Sequence, residues 1–158
     1  MIDKLSIIGA KYLFIVIAGI AFVYFLKQPR VEQKRLVLFA ALTLPLVYVV
    51  SKIGALLYYE PRPFVSGHFQ PLIPHEPDNE FPSDHVLLCA SIAAVVYPSS
   101  KRLSLALWVL TLLVGVSRVF TGLHHPVDVI GSALMAIVVA TLVYRAVKGR
   151  NMFKSSTN

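Results

Sequence analysis

Five apolar runs, separated by short polar segments, determine what this chain can fold into. They cover residues 7–26, 36–59, 86–97, 103–120 and 127–147. Four of them approach the roughly 20 residues that an α-helix needs to cross a bilayer. Hydrophobic residues make up 56% of the 158 residues and charged residues only 15%, unlike a soluble domain. The sequence therefore predicts an all-α, polytopic membrane bundle of about five helices, with one domain over residues 1–150 and a tail at 151–158.

The run at residues 86–97 is unusual because it is short. Twelve apolar residues are marginal for a full span, and about 10–14 is more typical of a buried or partial helix. If this helix begins at Ser83, its first turn also carries Asp84 and His85. Polar groups at membrane depth are tolerated only where they face protein or water. We therefore expect the start of this helix to line a wet pocket.

The basic residues indicate how the bundle is oriented. The net charge is +7, but the positive charges cluster between and after the apolar runs, which is typical of membrane topology and argues against a nucleic-acid partner. Ten of them fall on one side of a five-span bundle: Lys27, Arg30, Lys34, Arg35, Lys101, Arg102, Arg145, Lys148, Arg150 and Lys154. The positive-inside rule makes that side cytoplasmic. The N-terminus and loops 60–82 and 120–126 are then expected outside a plasma membrane.

Three polar segments are predicted to meet on this outer side. They are "EPRPF" at 60–64, "FPSDH" at 81–85 and "SRVFTGLHHPVD" at 117–128. The connectivity alone places them at the same end of the bundle. All five histidines of the chain lie on this side. We therefore expect the chemistry of the protein to be concentrated here.

The residues in these segments suit the binding and transfer of a phosphate. Arg62 and Arg118 offer planar positive forks for an oxyanion. Ser83 and the amides at the start of the third helix form an anion site. His85 and His124 are candidate acids, bases or nucleophiles.

Asp128 follows His124 by four residues, so the two share a face if the turn between them is helical. Pro126 suits the first turn of the last helix, where its missing N–H costs nothing. Asp128 would then hold one ring nitrogen of His124 and leave the other free to attack.

The segments resemble the signatures of the type 2 phosphatidic acid phosphatase (PAP2) superfamily. Ser-Arg, five residues, His, three residues and Asp match its third signature, and "PSDH" is similar to its second, Pro-Ser-Gly-His. "RP" at 62–63 resembles the end of its first, Lys-x6-Arg-Pro. Asp84 stands where the motif has glycine, and "FPSDH" resembles the bacitracin-resistance subgroup of undecaprenyl pyrophosphate phosphatases. Ala55 stands where the family has lysine, and Lys52, about one helical turn earlier, is the candidate replacement.

The resemblance implies a mechanism that needs no metal and no cofactor. Arg62, Arg118 and the Ser83 region would hold the terminal phosphate, with Asp84 and Lys52 beside it. His124 would attack phosphorus, His85 would protonate the leaving oxygen and then activate water, and Asp128 would orient His124. The implied substrate is a lipid pyrophosphate, undecaprenyl pyrophosphate first, used for recycling the lipid carrier in cell-wall synthesis.

Three alternatives stay open at the level of sequence. One is a phosphatase for phosphatidylglycerol phosphate, phosphatidate or lysophosphatidate. Another is a haloperoxidase, which shares these motifs but is normally soluble. The third is a non-catalytic lipid-binding protein, which Ala55 favours and the complete set of His, Asp and Arg residues disfavours.

In loop 60–82, a metal site built from His68, His75 and the nearby acids is disfavoured by their spacing. The sequence assigns no oligomeric state.

Overall fold

A computed structural model describes residues 1–148 of the chain. Six helices follow one another: α1 (Ile2–Leu26), α2 (Arg30–Leu57), α3 (Pro63–Ser66), α4 (Asp84–Val96), α5 (Lys101–Phe120) and α6 (Pro126–Lys148). Within these residues the only β-type pairing is an isolated bridge between Pro61 and Asn79. The all-α prediction is confirmed. The predicted tail at residues 151–158 lies outside the described residues.

Four helices, α1, α2, α5 and α6, are long and apolar enough to cross a membrane. Their outward faces carry many exposed large apolar side chains, such as Ile15, Phe22 and Leu142. A soluble protein rarely exposes so much apolar surface, whereas a bilayer covers it. The predicted boundaries are mostly close, but α1 begins five residues and α2 six residues earlier than the apolar runs. The extra residues, Ile2–Ser6 and Arg30–Arg35, are partly polar and extend each helix beyond its apolar run.

The short helix α4 lies at the centre of the bundle. It packs against α1, α2, α5 and α6. Eight of its 13 residues are buried, including Cys89 and Ala93. At about 1.5 Å per residue it is only about 20 Å long. Its neighbours shield it from lipid, so it does not need the length of a full span.

Small residues let the helices approach α4 closely. Ser132, Ala136 and Ala140 on α6 are all buried, as expected from their spacing. The Ser132 hydroxyl lies 2.7 Å from the carbonyl oxygen of Asp128 and 3.1 Å from that of Ser83. This contact joins the start of α6 to the residue before α4, and so fixes two of the predicted motifs relative to each other.

One end of the bundle gathers the start of α1, α4 and α6 and the end of α2 and α5. The connection between α2 and α4 covers this end. It contains α3, which the sequence did not predict, and packs Phe64 and Ile73 against Leu123 and Ala10. The opposite end carries the basic residues of the turn after α1, the start of α5 and the end of α6.

Candidate active site

A polar cavity of about 240 Å³ opens at this end of the bundle. Its lining includes six of the eight residues that the sequence nominated: Lys52, Arg62, Asp84, His85, Arg118 and His124. The other two, Ser83 and Asp128, are fully buried. The structure therefore brings the three polar segments together, as the connectivity predicted, and adds Lys52 from α2.

His124 lies in the buried turn before α6, with a side chain only 3% exposed. Its Nε2 is 3.2 Å from Arg118 Nη2. An arginine can only donate, so Nε2 accepts and the proton of the neutral ring is on Nδ1. Nδ1 in turn lies 3.5 Å from Asp128 Oδ2. The ring thus presents a nitrogen lone pair beside a guanidinium, with a carboxylate behind it.

The predicted reason for the His124–Asp128 contact was wrong. The helix starts at Pro126, so His124 does not belong to it. Asp128 instead accepts a hydrogen bond of 2.8 Å from the backbone N–H of His125, which folds the turn back over the carboxylate. The two side chains meet across this turn and not along a helical face.

Burial sets the protonation of His124. It lowers the pKa of His124, and the charges of Arg118 and Arg62 act in the same direction, although the nearby Asp128 carboxylate opposes them. The imidazole is therefore neutral near pH 7. A neutral imidazole is the form that can act as a nucleophile.

Arg118, in the last turn of α5, is 6% exposed. Its Nε is buried and has no hydrogen-bond partner within residues 1–148. A buried charged donor without a partner is costly, and phosphate oxygens match the geometry of a guanidinium. Arg118 is therefore placed to bind an oxyanion next to His124 Nε2.

Arg62 is held by three hydrogen bonds. Its Nε donates to Asp78 Oδ1 at 2.7 Å and to the Glu76 carbonyl at 3.0 Å, and its Nη1 donates to the Leu123 carbonyl at 2.9 Å. Burial alone would raise the pKa of the Asp78 carboxyl, but the hydrogen bond and charge of Arg62 lower it. The guanidinium is thus fixed in orientation at the cavity wall, beside the segment that carries His124.

Ser83 is the N-cap residue of α4 and not its first helical residue. Its hydroxyl makes no capping bond and, within residues 1–148, has no hydrogen-bond partner, although it is fully buried. Ser is a strong capping residue, so an unused hydroxyl here suggests another partner. The hydroxyl and the free amides at the start of α4 together suit an anion.

The ring of Phe81 packs against α6 and holds the segment before α4 in place. A Cβ at Gly131 would lie 2.6 Å from the Phe81 ring, so only glycine allows the ring to come this close. His85, the second residue of α4, is half-buried and packs edge-on against Phe14 of α1 with ring centroids 4.8 Å apart. These contacts fix the direction in which His85 faces the cavity.

Lys52 and Ala55 both line the cavity. The ammonium of Lys52 is 5.0 Å from the centroid of the Tyr48 ring, and the side chain is otherwise exposed at the cavity mouth. Asn79 Nδ2 donates to the Ala55 carbonyl at 2.9 Å, which ties the covering loop to α2. Lys52 is therefore in range of a ligand in the cavity, from a position one turn away from Ala55.

The sequence did not predict the burial of Glu80 or its contact with His125, although both residues flank the nominated ones. Glu80 is 1% exposed, and its Oε1 is in direct contact with His125 Nδ1. Its Oε2 lies 3.9 Å from His124 Nδ1. An acid five residues before His85, in a loop rich in acids, carries no signal of burial. Only the fold of the loop brings it behind His124.

Two overlapping sets of side chains at this site are of the types that bind metals. They are Glu60, Glu80 and His125, and Glu80, His124 and Asp128, with ligand atoms within 4.8 Å of one another in each set. The nitrogen and oxygen atoms that bind one zinc ion lie about 2.0–2.2 Å from it on different sides, so they do not touch one another. Glu80 and His125 are instead in direct contact. A shared proton fits these contacts better than an ion.

Comparison with known proteins agrees with this geometry. The sequence profile of the PAP2 superfamily matches residues 34–152. The chain belongs to the PAP2 superfamily. The matched range includes all eight nominated residues of the site, and it begins inside α2, so that α1 lies outside it.

Individual PAP2 relatives are similar over most of the chain. It is 32% identical to "Undecaprenyl-diphosphatase BcrC" of Bacillus subtilis (strain 168) over 92% of this chain and 75% of that protein. It is 30% identical to "Bacitracin transport permease protein BcrC" of Bacillus licheniformis, over 91% of this chain and 71% of that one. The crystal structure of Aquifex aeolicus LpxE superimposes with a TM-score of 0.69 at 23% identity, covering 90% of this chain and 82% of that one. The likeness to LpxE shows that the two chains share a fold.

Proposed function

We propose that this protein is an integral membrane phosphatase that hydrolyses undecaprenyl pyrophosphate to undecaprenyl phosphate through a phosphohistidine. The observation that carries the proposal is the pairing of His124 Nε2 with Arg118 in one cavity, with Asp128 behind the ring. The substrate comes from the similarity to the Bacillus subtilis undecaprenyl-diphosphatase. Such a product would be reused as a lipid carrier in cell-wall synthesis.

The first step transfers the terminal phosphoryl group to His124. Arg118, Arg62 and the start of α4 bind its oxygens and stabilise the charge that spreads over them. The Nε2 lone pair attacks phosphorus, and the bond from phosphorus to the bridging oxygen breaks. His85 donates a proton to this oxygen, so that undecaprenyl phosphate leaves.

The second step releases inorganic phosphate. His85, now neutral, accepts a proton from a water molecule while the water oxygen attacks phosphorus. The bond between phosphorus and Nε2 breaks, and the electron pair returns to His124. Asp128 stabilises the positive charge of the ring while it is phosphorylated. No step uses a metal ion, because the arginines neutralise the phosphate.

An apolar groove beside the cavity suits the lipid tail. It has a volume of about 370 Å³ and runs between α2 and α4, where Leu44, Val47 and Leu87 line it. Lys52 and Asp84 line both the groove and the cavity. A lipid could therefore keep its tail against the outer face of the bundle while its pyrophosphate enters the cavity.

We place the cavity on the outer face of the plasma membrane. The opposite end carries Lys27, Arg30, Lys101 and Arg145, and short basic segments stay in the cytoplasm. Fusion of a periplasm-active reporter to the C-terminus should give no signal, and fusion of a cytoplasm-active reporter should give one. The reverse pattern would contradict this orientation.

Phosphate release from undecaprenyl pyrophosphate in detergent and EDTA tests the function. We expect release by the wild type and none by His124→Asn. His68→Asn is the matched control, because His68 is exposed on the covering loop away from the cavity and has a φ of 51°, which asparagine tolerates.

Phosphatidylglycerol phosphate and phosphatidate, assayed in parallel, test the choice of lipid. Faster turnover of either would change the proposed substrate and keep the mechanism. No release from any lipid phosphate would contradict the enzymatic function and favour a lipid-binding role.

A further inference from the structure

Glu80 is a buried acid that the proposed reaction does not use. It lies in the loop over the cavity, three residues before Ser83, and is 1% exposed. Its backbone N–H donates to the Glu60 carbonyl at 3.1 Å, next to the bridge between Pro61 and Asn79. The loop is therefore fixed where it inserts this side chain. A fully buried carboxyl is rare unless it is paired, so its neighbours should explain it.

Charged and titratable groups face Glu80 from each segment packed around it. From the turn before α6, His125 Nδ1 contacts Oε1, and His124 Nδ1 lies 3.9 Å from Oε2. A carboxylate oxygen of Asp128 on α6 lies within 4.8 Å of the Glu80 carboxyl and adds its negative charge, and Arg62 supplies a positive charge from the start of the loop. Glu60 has its Oε1 3.6 Å from His125 Nδ1, and Tyr58, at the end of α2, contacts Glu60 and interacts with the charge of Glu80.

Two adjacent buried carboxyl groups do not ionise together readily, so one of them keeps a proton. Asp128 Oδ2 accepts a backbone hydrogen bond at 2.8 Å and faces the N–H of His124, and both contacts favour its charged form. Glu80 accepts no backbone N–H through Oε2, which is buried without a partner within residues 1–148. The proton therefore belongs to Glu80, in contact with His125.

The electrostatics agree with this assignment. Burial and the neighbouring Asp128 carboxylate raise the pKa of Glu80 to about 9, although His125 and Arg62 oppose them. At neutral pH the carboxyl is thus protonated. One of its oxygens contacts His125, and the other lies beside the His124–Asp128 pair.

We propose that Glu80 is a positioning residue of the phosphatase site, which holds a proton behind the His124–Asp128 pair and so leaves Asp128 as the charged carboxylate next to the His124 ring. The role rests on the proposed function. His124 Nδ1 lies 3.9 Å from Glu80 Oε2 and 3.5 Å from Asp128 Oδ2. If Glu80 ionises, its Oε2 therefore competes with Asp128 for the N–H of His124 and turns the ring. The added negative charge at the cavity wall also repels the phosphate.

The pH dependence of kcat and KM tests this role. In the wild type, kcat/KM should fall as the pH rises through Glu80's pKa, by about tenfold at one unit above it. Glu80→Gln keeps a neutral group that donates a hydrogen bond. It should retain activity within about threefold at pH 7 and lack this alkaline limb. Asp3→Asn removes an exposed acid at the start of α1, away from the cavity, and should behave like the wild type.

Two further measurements follow the proton directly. Infrared spectroscopy of the wild type should show a protonated carboxyl band at pH 7 that disappears above the pKa of Glu80 and is absent from Glu80→Gln. Because the folded pKa of Glu80 is raised from 4.5 to about 9, the stability of the wild type relative to Glu80→Gln should fall as pH rises through this interval. If Glu80→Gln does not fold, the infrared band of the wild type alone still shows whether a buried carboxyl is protonated at pH 7.

The outcomes separate the two proposals. An active wild type whose alkaline limb persists in Glu80→Gln, or one without the carboxyl band at pH 7, would overturn the role of Glu80 alone. A wild type without phosphatase activity at any pH would overturn the proposed function and this role with it.

Discussion

His124 Nδ1 lies 3.5 Å from Asp128 Oδ2, although the two residues do not share a helix. The turn between them is closed by the hydrogen bond from His125 N–H to the same Oδ2. One carboxylate oxygen therefore fixes both the turn and the ring. This arrangement leaves Nε2 facing Arg118, and it makes Asp128 the residue on which the direction of the nucleophile depends.

Replacing Asp128 by asparagine should lower kcat by about 10²–10⁴-fold with little change in KM. The amide keeps the size of the side chain and one acceptor oxygen. It removes the negative charge that stabilises His124 when the ring carries the phosphoryl group. Steady-state kinetics with undecaprenyl pyrophosphate measure the effect. Asp3→Asn is the control, since Asp3 is exposed at the start of α1. A kcat within about twofold of the wild type would show that Asp128 only closes the turn.

In a plot of kcat/KM against pH, the midpoint of the acid limb should lie below 6.5, the ordinary pKa of histidine. Burial lowers the pKa of His124, so the neutral nucleophile persists as the pH falls below 6.5 and is lost only at the lowered value. Rates measured from about pH 4 to pH 8, with the substrate's own phosphate titration followed by ³¹P NMR, test this. An acid limb assigned to the enzyme at or above 6.5 would indicate a solvated His124.

The sequence was sufficient to predict which motifs meet. Connectivity placed the segments of Arg62, His85 and His124 at one end of the bundle, and the structure brings all three to one cavity. The lengths of the apolar runs predicted the four spanning helices, because each of these helices contains one long apolar stretch. These features depend on local pattern and on the number of crossings, which the sequence expresses directly.

The path of the loop at 60–82 could not be predicted in the same way. It depends on single polar contacts between distant positions, such as Arg62 with Asp78 and Asn79 with the Ala55 carbonyl. No periodicity encodes such contacts. As a result, the sequence does not show that the loop buries Glu80 behind His124.

Arg118 and Arg62 should respond differently to replacement by lysine. Arg118 faces the attacking nitrogen, so Arg118→Lys should lower kcat by about 10²–10³-fold, as expected for a donor that stabilises the transition state. Arg62 also holds the Leu123 carbonyl and Asp78, so Arg62→Lys should lower thermal stability as well as activity. Kinetics and thermal unfolding in detergent measure both.

Arg102→Lys is the control for these two variants, because Arg102 is exposed at the opposite end of α5. It should leave kcat and thermal stability unchanged. A similar loss of kcat in Arg118→Lys and Arg102→Lys would contradict a specific role for Arg118. An unchanged melting temperature in Arg62→Lys would show that its contacts to the loop add little to stability.

Lys52 should contribute to substrate binding from the cavity mouth, in place of a lysine at position 55. Lys52→Met keeps the apolar stem and removes the charge, so KM should rise about 5- to 10-fold with kcat nearly unchanged; a partly solvated charge contributes less than a buried guanidinium. The double variant Lys52→Met/Ala55→Lys should recover much of the lost affinity, because Ala55 lines the same cavity. Lys11→Met, on the exposed face of α1, is the control. An unchanged KM in Lys52→Met would mean that Lys52 is an interfacial cation resting on Tyr48 and takes no part in binding.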